Sequence, residues 1–170
     1  MVTIRHIRAD EDAEAFLDLR HTTDAETTLL MMEPGERMTS TAAQREMIIR
    51  MLEAGSTILV AEDSEDEARL VGYLLASRGV YQRVRHTVFI VIAVLQAYTG
   101  QGIGTRLIEA LETWSREQRI QRLELEVQVR NTVAIALYER NGFVIEGTKR
   151  RAMIVADEYV DTHFMAKLLE

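Results

Sequence analysis

An unbroken apolar run, Val88 to Leu95, leads into three glycines at alternate positions, Gly100, Gly102 and Gly104. From there the spacing changes. Ile103, Leu107, Leu111 and Trp114 recur at intervals of four, four and three, one face of a helix over Gly104–Gln118. Beyond it Leu123, Leu125, Val127 and Val129 alternate with Glu124, Glu126 and Gln128, the pattern of a half-buried strand. Strand, glycine loop, helix and strand in this order close as a crossover between parallel strands, right-handed by the general rule. This unit restricts the fold more than any other feature. It makes the chain α/β (α+β), built on a mixed central sheet.

The flanks supply the other elements. Val2 and Ile4, with Ile7 beyond, read as a first strand. Asp10 can cap a helix from about Asp12 to His21, where Ala13, Phe16, Leu17 and Arg20 are helically spaced. Residues 22–38 mix polar and apolar side chains around a Pro34-Gly35 break, so a loop with room for a short helix is expected. The segment 39–55 predicts a cleaner helix, with a Ser/Thr entry, apolar Met47, Ile48, Met51 and Leu52, and Gly55 as its stop. Thr57–Glu62 and Leu70–Ser77 flank an acidic turn and read as a hairpin. Val84–Leu95 is a third strand, expected to be buried along its second half. Thr132–Arg140 reads as a short helix capped by Asn141-Gly142, ahead of terminal strands near Val144–Arg151 and His163–Leu169. Pro34 is the only proline and no repeat stands out, so residues 1–170 are expected to form a single domain.

Composition excludes several classes. A formal net charge of -7 argues against nucleic acid or an anionic membrane surface as the main partner. Without cysteine there are no disulfides, thiolate metal sites or cysteine nucleophile. Charges from Arg5 onward interrupt any signal-peptide core, and Val88–Leu95 falls far short of the ~20 residues of a membrane helix. A cytoplasmic location is the expectation. His6, His21, His86 and His163 show no close ligand spacing, so no metal is expected.

The glycine loop fails two phosphate-binding patterns. A Walker loop needs Lys then Ser/Thr after its last glycine, and here Thr105-Arg106 follow Gly104. A dinucleotide fingerprint needs a sixth-position glycine, and counting from Gly100 or Gly102 gives Thr105 or Leu107. A loop without lysine can still offer a row of amides and a helix N-terminus to a diphosphate. A tight turn with no ligand is the plain alternative.

Val94 to Gly104, VLQAYTGQGIG, resembles the core motif Val-x-Pro-x-x-Arg-Gly-x-Gly-Ile-Gly of the GNAT family of N-acetyltransferases. Thr99 stands where the family has Arg or Gln, and Gln96 where it often has Pro. A second stretch, Arg130 to Gly147, is similar to the family pattern Asn-x-x-Ala-x-x-Leu-Tyr-x-x-x-Gly-Phe at Asn131, Ala134, Leu137, Tyr138, Gly142 and Phe143. The resemblance covers about residues 55–170. The C-terminal stretch looks like the branch holding ribosomal-protein N-terminal acetyltransferases and small amino-acid or amino-antibiotic acetyltransferases.

The resemblance implies a GNAT fold, acetyl-CoA as co-substrate and direct attack by a primary amine. It implies amides of Gln101, Gly102, Ile103, Gly104 and Thr105 on the pyrophosphate. It implies Ile92 and Val94 as a strand edge for the pantetheine arm, and Asn131 as a cofactor hydrogen-bond partner. The N–H near Val94 would face the developing oxyanion. Tyr138 would be the general acid, a phenol near pKa ~10 giving a proton to a thiolate of pKa ~8.5, with a packing tyrosine as the alternative. The base stays open among Glu26, Glu33, His86 and water, and Glu124 and Glu126 are solvated or substrate-facing. The basic clusters at residues 83–86 and 149–151 read as solvated strand ends. A small amine or amino acid is the first choice of acceptor, bound against residues 22–38, and a protein N-terminus the second. A non-catalytic acyl-CoA-binding module is the alternative from another class. Homodimers are common in the family, and the apolar C-terminal strand is compatible with one.

Overall fold

In the computed structural model, which describes residues 1–170, the chain begins with β1 (Val2–His6), α1 (Ala9–Glu26) and α2 (Thr41–Glu53). There follow β2 (Thr57–Asp63), β3 (Arg69–Arg78), β4 (Thr87–Val94), α3 (Ile103–Glu117) and β5 (Arg122–Gln128). The chain ends with α4 (Thr132–Arg140), β6 (Val144–Val155) and β7 (Glu158–Leu168). The strands form one mixed sheet in the order β1-β2-β3-β4-β5-β7-β6. Every neighbouring pair is antiparallel except β4 with β5, the parallel pair that the strand–loop–helix–strand pattern requires.

The sheet is covered on both faces at β3. Tyr73 and Leu74 are consecutive on β3 and so point to opposite sides, yet both are buried. Phe16 of α1 meets Tyr73 edge-on, ring centroids 5.3 Å apart. Leu107, Ile108 and Leu111 of α3, the residues that the four-and-three spacing singled out together with their neighbour, are fully buried.

One departure from regular pairing positions the site. β4 stays paired with β3 along Val88–Val94, but it pairs with β5 only from Thr87 to Phe89, against Arg122 to Glu124. Beyond those residues the parallel strands part, while β5 continues against β7 as far as Gln128. The expectation of a strand buried along its second half therefore holds only at Ile90 and Leu95. Val88 and Ile90 are buried, Val91 is exposed, and Ile92, Ala93 and Val94 are half-buried. The end of the apolar run, Ile92 to Val94, lines a gap.

Several boundaries also differ. α1 begins at Ala9 rather than Asp12, and Asp10 is not its cap. Its N-cap is Arg8, which makes no side-chain cap bond; Asp12 accepts the Arg8 N–H at 2.6 Å, while Asp10 reaches Arg45 on α2. At its other end α1 runs through the expected loop to Glu26. Arg37 holds Asp24 through two hydrogen bonds of 2.7 and 3.1 Å, a long-range ion pair that fixes the last turn. β4 starts at Thr87, since Val84 lies in a short 3₁₀ turn. The terminal hairpin is longer than expected because β6 and β7 keep pairing to Val155 and Glu158.

Candidate active site

Where β4 and β5 part, a cleft of about 560 Å³ opens. Ile92, Ala93 and Val94 form one wall, the glycine loop and the start of α3 the end, and α4 the other wall through Val133, Ala134, Leu137 and Arg140. The last turn of α1 and the loop after it close the remaining side with Thr23, Glu26, Thr27, Leu29 and Leu30.

The strand wall presents main-chain groups. Leu95 N–H donates to Val71 O at 2.9 Å. Partners alternate along an antiparallel ladder, so Ala93 and Val91 also face β3. Ile92 and Val94 turn their N–H and C=O groups the other way, into the gap that β5 has left. The two residues expected from sequence to offer a strand edge lie on the cleft wall.

The glycine loop presents donors. Gly100 and Gly102 have φ of +74° and +76°, the left-handed region in which only glycine is unstrained. These two turns bend the chain from strand to helix and leave α3 with no side-chain N-cap. Arg106 is the first residue of this stretch whose N–H is paired, to Gly102 O at 3.1 Å. The N–H groups from Gly100 to Thr105 find no acceptor in the chain, and Gly102, Ile103, Gly104 and Thr105 line the cleft. Gln101 contributes its amide to this row but its side chain turns away, to Ala97 O at 3.3 Å. Arg140 is the one cation of the cleft wall and has no ion-pair partner in the chain.

Asn131 caps α4, its Oδ1 accepting the Ala134 N–H at 3.2 Å, and also lines the cleft. Gly104 lets α3 and α4 approach closely. A Cβ there would stand 2.8 Å from Leu137 Cδ2. Tyr138 sits on the buried face of α4, 5% exposed, with its ring centroid 5.7 Å from that of Phe143. It is not part of the cleft lining, and burial pushes its phenol well above the ordinary value. That shift works against full proton delivery to a thiolate and favours a neutral hydrogen-bond donor.

The base candidates separate by position. Glu26 lines the cleft, and its Oε2 accepts the Gln96 N–H at 2.7 Å, two residues beyond Val94. Glu33 is exposed outside the cleft, in the loop after α1. His86 lies at the opposite end of β4, its carbonyl accepting from Gln121 and Arg122. Glu124 is tied to Arg122 at 2.7 Å, and Glu126 accepts the Thr162 hydroxyl at 2.6 Å. Of the expected acceptor segment 22–38, Thr23, Glu26, Thr27, Leu29 and Leu30 reach the cleft. Sequence reasoning missed Arg140 and Val133. Both lie on the motif helix, one turn away from residues that the motif names.

The model of the Acetyltransferase (GNAT) family matches residues 17–143. The L-amino acid N-acetyltransferase AaaT of Escherichia coli (strain K12) is 33% identical over 100 residues, 58% of this chain and 62% of that protein. The chain thus spans less than two thirds of that relative's length. The structure of ribosomal-protein-alanine N-acetyltransferase from Brucella melitensis is 26% identical with a TM-score of 0.85, covering 98% of this chain and 99% of that one. A Salmonella typhimurium chain solved with its cofactor acetyl-CoA has a TM-score of 0.86 at 20% identity, over 99% of this chain and 94% of that one, a likeness of fold. With the glycine loop and α4 of this match facing each other across the cleft, the chain belongs to the Acetyltransferase (GNAT) family.

Proposed function

We propose that the chain is an acetyl-CoA-dependent N-acetyltransferase acting on a primary amine, with a free amino acid or similar small amine as acceptor. The observation that carries this reading is the row of unpaired amides from Gly100 to Thr105 at the end of a cleft edged by free main-chain groups. A diphosphate needs such donors, and an amide-bearing arm needs such an edge. Bound acetyl-CoA supplies a thioester, an acyl group already joined to a good leaving group.

The chain's own residues do the rest. The amides from Gln101 to Thr105 hold the diphosphate. Arg140 adds the positive charge that Thr99 does not carry. Ile92 and Val94 take the arm as an added strand, and the Val94 N–H faces the acyl oxygen as negative charge grows there. Asn131 hydrogen-bonds the arm at the fork of the strands. An amine of pKa ~10 arrives protonated, and Glu26, directly or through one water, removes the proton. Tyr138 donates a hydrogen bond from its neutral phenol to the departing sulfur. A homodimer is part of this reading, since Ile154, Tyr159, Phe164 and Leu168 of the terminal hairpin are exposed.

Free-thiol release from acetyl-CoA across amino acids, polyamines, amino-antibiotics and short peptides tests the proposal. Release above the amine-free blank with amino acids supports it. Release with peptides alone supports the protein N-terminal reading, which the name of the Brucella melitensis neighbour favours. Tight acetyl-CoA binding with no release from any amine leaves a binding module.

A further inference from the structure

Beside the cleft lies a second depression of about 470 Å³, lined by Ala25, Thr28, Pro34 and Arg130 together with Glu26, Thr27 and Leu29. Those last three residues also line the cleft, so the two spaces adjoin across Glu26. Arg130 is the only cation on this second wall.

Its guanidinium is held by neutral groups alone. Nε donates to Gln128 Oε1 at 2.7 Å, and Nη2 donates to Thr28 O at 3.1 Å and Thr28 Oγ1 at 3.0 Å. Gln128 is buried and is itself fixed by a 2.9 Å bond to Thr28 O. The side chain is therefore oriented, while Nη1 has no acceptor in the chain. No carboxylate lies within ion-pair distance, although Arg37 holds one and Arg5 and Arg122 hold two each. Arg78 is also held by carbonyls alone, but Arg130 stands on a wall that adjoins Glu26 and the cleft. A planar guanidinium with a free edge is complementary to a carboxylate.

Resting on the proposed transferase reading, we infer that Arg130 receives the carboxylate of the acceptor, which makes the preferred substrate a free amino acid. The amine then points toward Glu26 and the cleft. Ala25, Leu29 and Pro34 offer apolar contact, which suits an uncharged side chain. A peptide N-terminus carries an amide where the amino acid has its carboxylate, so it leaves the cation unpaired and is disfavoured.

Arg130→Gln keeps a polar side chain beside Thr28 and removes the charge. The test compares leucine and methionine with their amides, and with dipeptides that begin with the same residues. For the parent chain, KM should be lower for the acids than for the amides or dipeptides. For Arg130→Gln, KM for the acids should rise about 10–100-fold, the loss of one charge-assisted contact. KM for the amides and for acetyl-CoA should not move. Equal changes for acids and amides would show Arg130 to be only a clamp on the 27–34 loop, and parental preference for dipeptides would also overturn the inference. Calorimetric binding of leucine and its amide to the CoA-loaded chain gives the same comparison without turnover. Failure of the transferase reading and failure of the Arg130 assignment are thus read separately.

Discussion

Replacing Gly102 with valine separates the two tasks of that residue. Its φ is +76°, and a Cβ there would meet no atom of the chain within 4 Å. The folding cost is therefore backbone strain alone, about 1–2 kcal/mol for a side chain in the left-handed region. For a chain of this size that lowers the melting temperature by about 2–8 °C. Gly35→Val is the matched control. Gly35 has φ of +88°, no atom within 4 Å of a Cβ, and no place in the cleft. On the ligand side the two variants should differ. The valine methyls at residue 102 stand in front of the amide row. Loss of two hydrogen bonds to a charged diphosphate, at about 1.5–3 kcal/mol each, amounts to about 3–6 kcal/mol. That is at least ~100-fold in affinity. Titration calorimetry with CoA and thermal melts of the ligand-free chains read both effects. If the two variants lose similar stability and both bind CoA like the parent, the amide row is not the diphosphate site.

Three further outcomes follow from the same geometry. Glu26→Gln retains an oxygen for the Gln96 N–H, so acetyl-CoA affinity should hold while kcat falls about 100-fold, and an unchanged kcat would return the base to solvent. Tyr138→Phe removes only a hydroxyl that has no hydrogen-bond partner in the chain. The ligand-free melting temperature should hold or rise slightly, kcat should fall about 10–100-fold, and normal turnover would end its role at the sulfur. Asp12→Asn reads out acid stability. Burial raises the Asp12 carboxyl pKa, but Arg5 and the Arg8 N–H outweigh it, so the folded value lies below the ordinary one. Its stabilisation is therefore complete above about pH 4 and is lost as pH falls through the depressed folded value. The variant's melting-temperature deficit should shrink between pH 7 and pH 3, and a constant deficit would refute the linkage.

What could be seen in the sequence was whatever is encoded locally. The four-and-three spacing of α3, the alternation of β5 and the Asn131 cap of α4 each depend on neighbours within a few residues. The glycines at 100 and 102 are legible because only glycine takes their conformation without strain. The proposed acceptor side was harder to see because its contacts join distant residues. Glu26 meets Gln96 across 70 positions, and Gln128 and Arg130 meet Thr28 across 100 and 102. Near the end of α1, Thr22, Thr23 and Asp24 are poor helix formers, and Arg37 anchors Asp24 there from outside. Residues apolar for a ligand and residues apolar for a core carry the same letters. That is why Ile92 and Val94 read as buried.

The short overlap of β4 with β5 has a mechanical consequence. The half-sheet of β1 to β4 and the half-sheet of β5, β7 and β6 share ladder pairing only over Thr87–Phe89 and Arg122–Glu124. Past that point the two halves behave as the jaws of a wedge, held by helix packing rather than by rungs. On the proposed reading, an arm laid along Ile92 and Val94 would insert a missing rung on one jaw while its phosphates clip the start of α3. Ligand binding is then also cross-bracing. At a hundredfold excess over Kd it adds about 2.7 kcal/mol to the stability of the whole chain. Each catalytic cycle would tighten the seam as co-substrate enters and slacken it as CoA leaves.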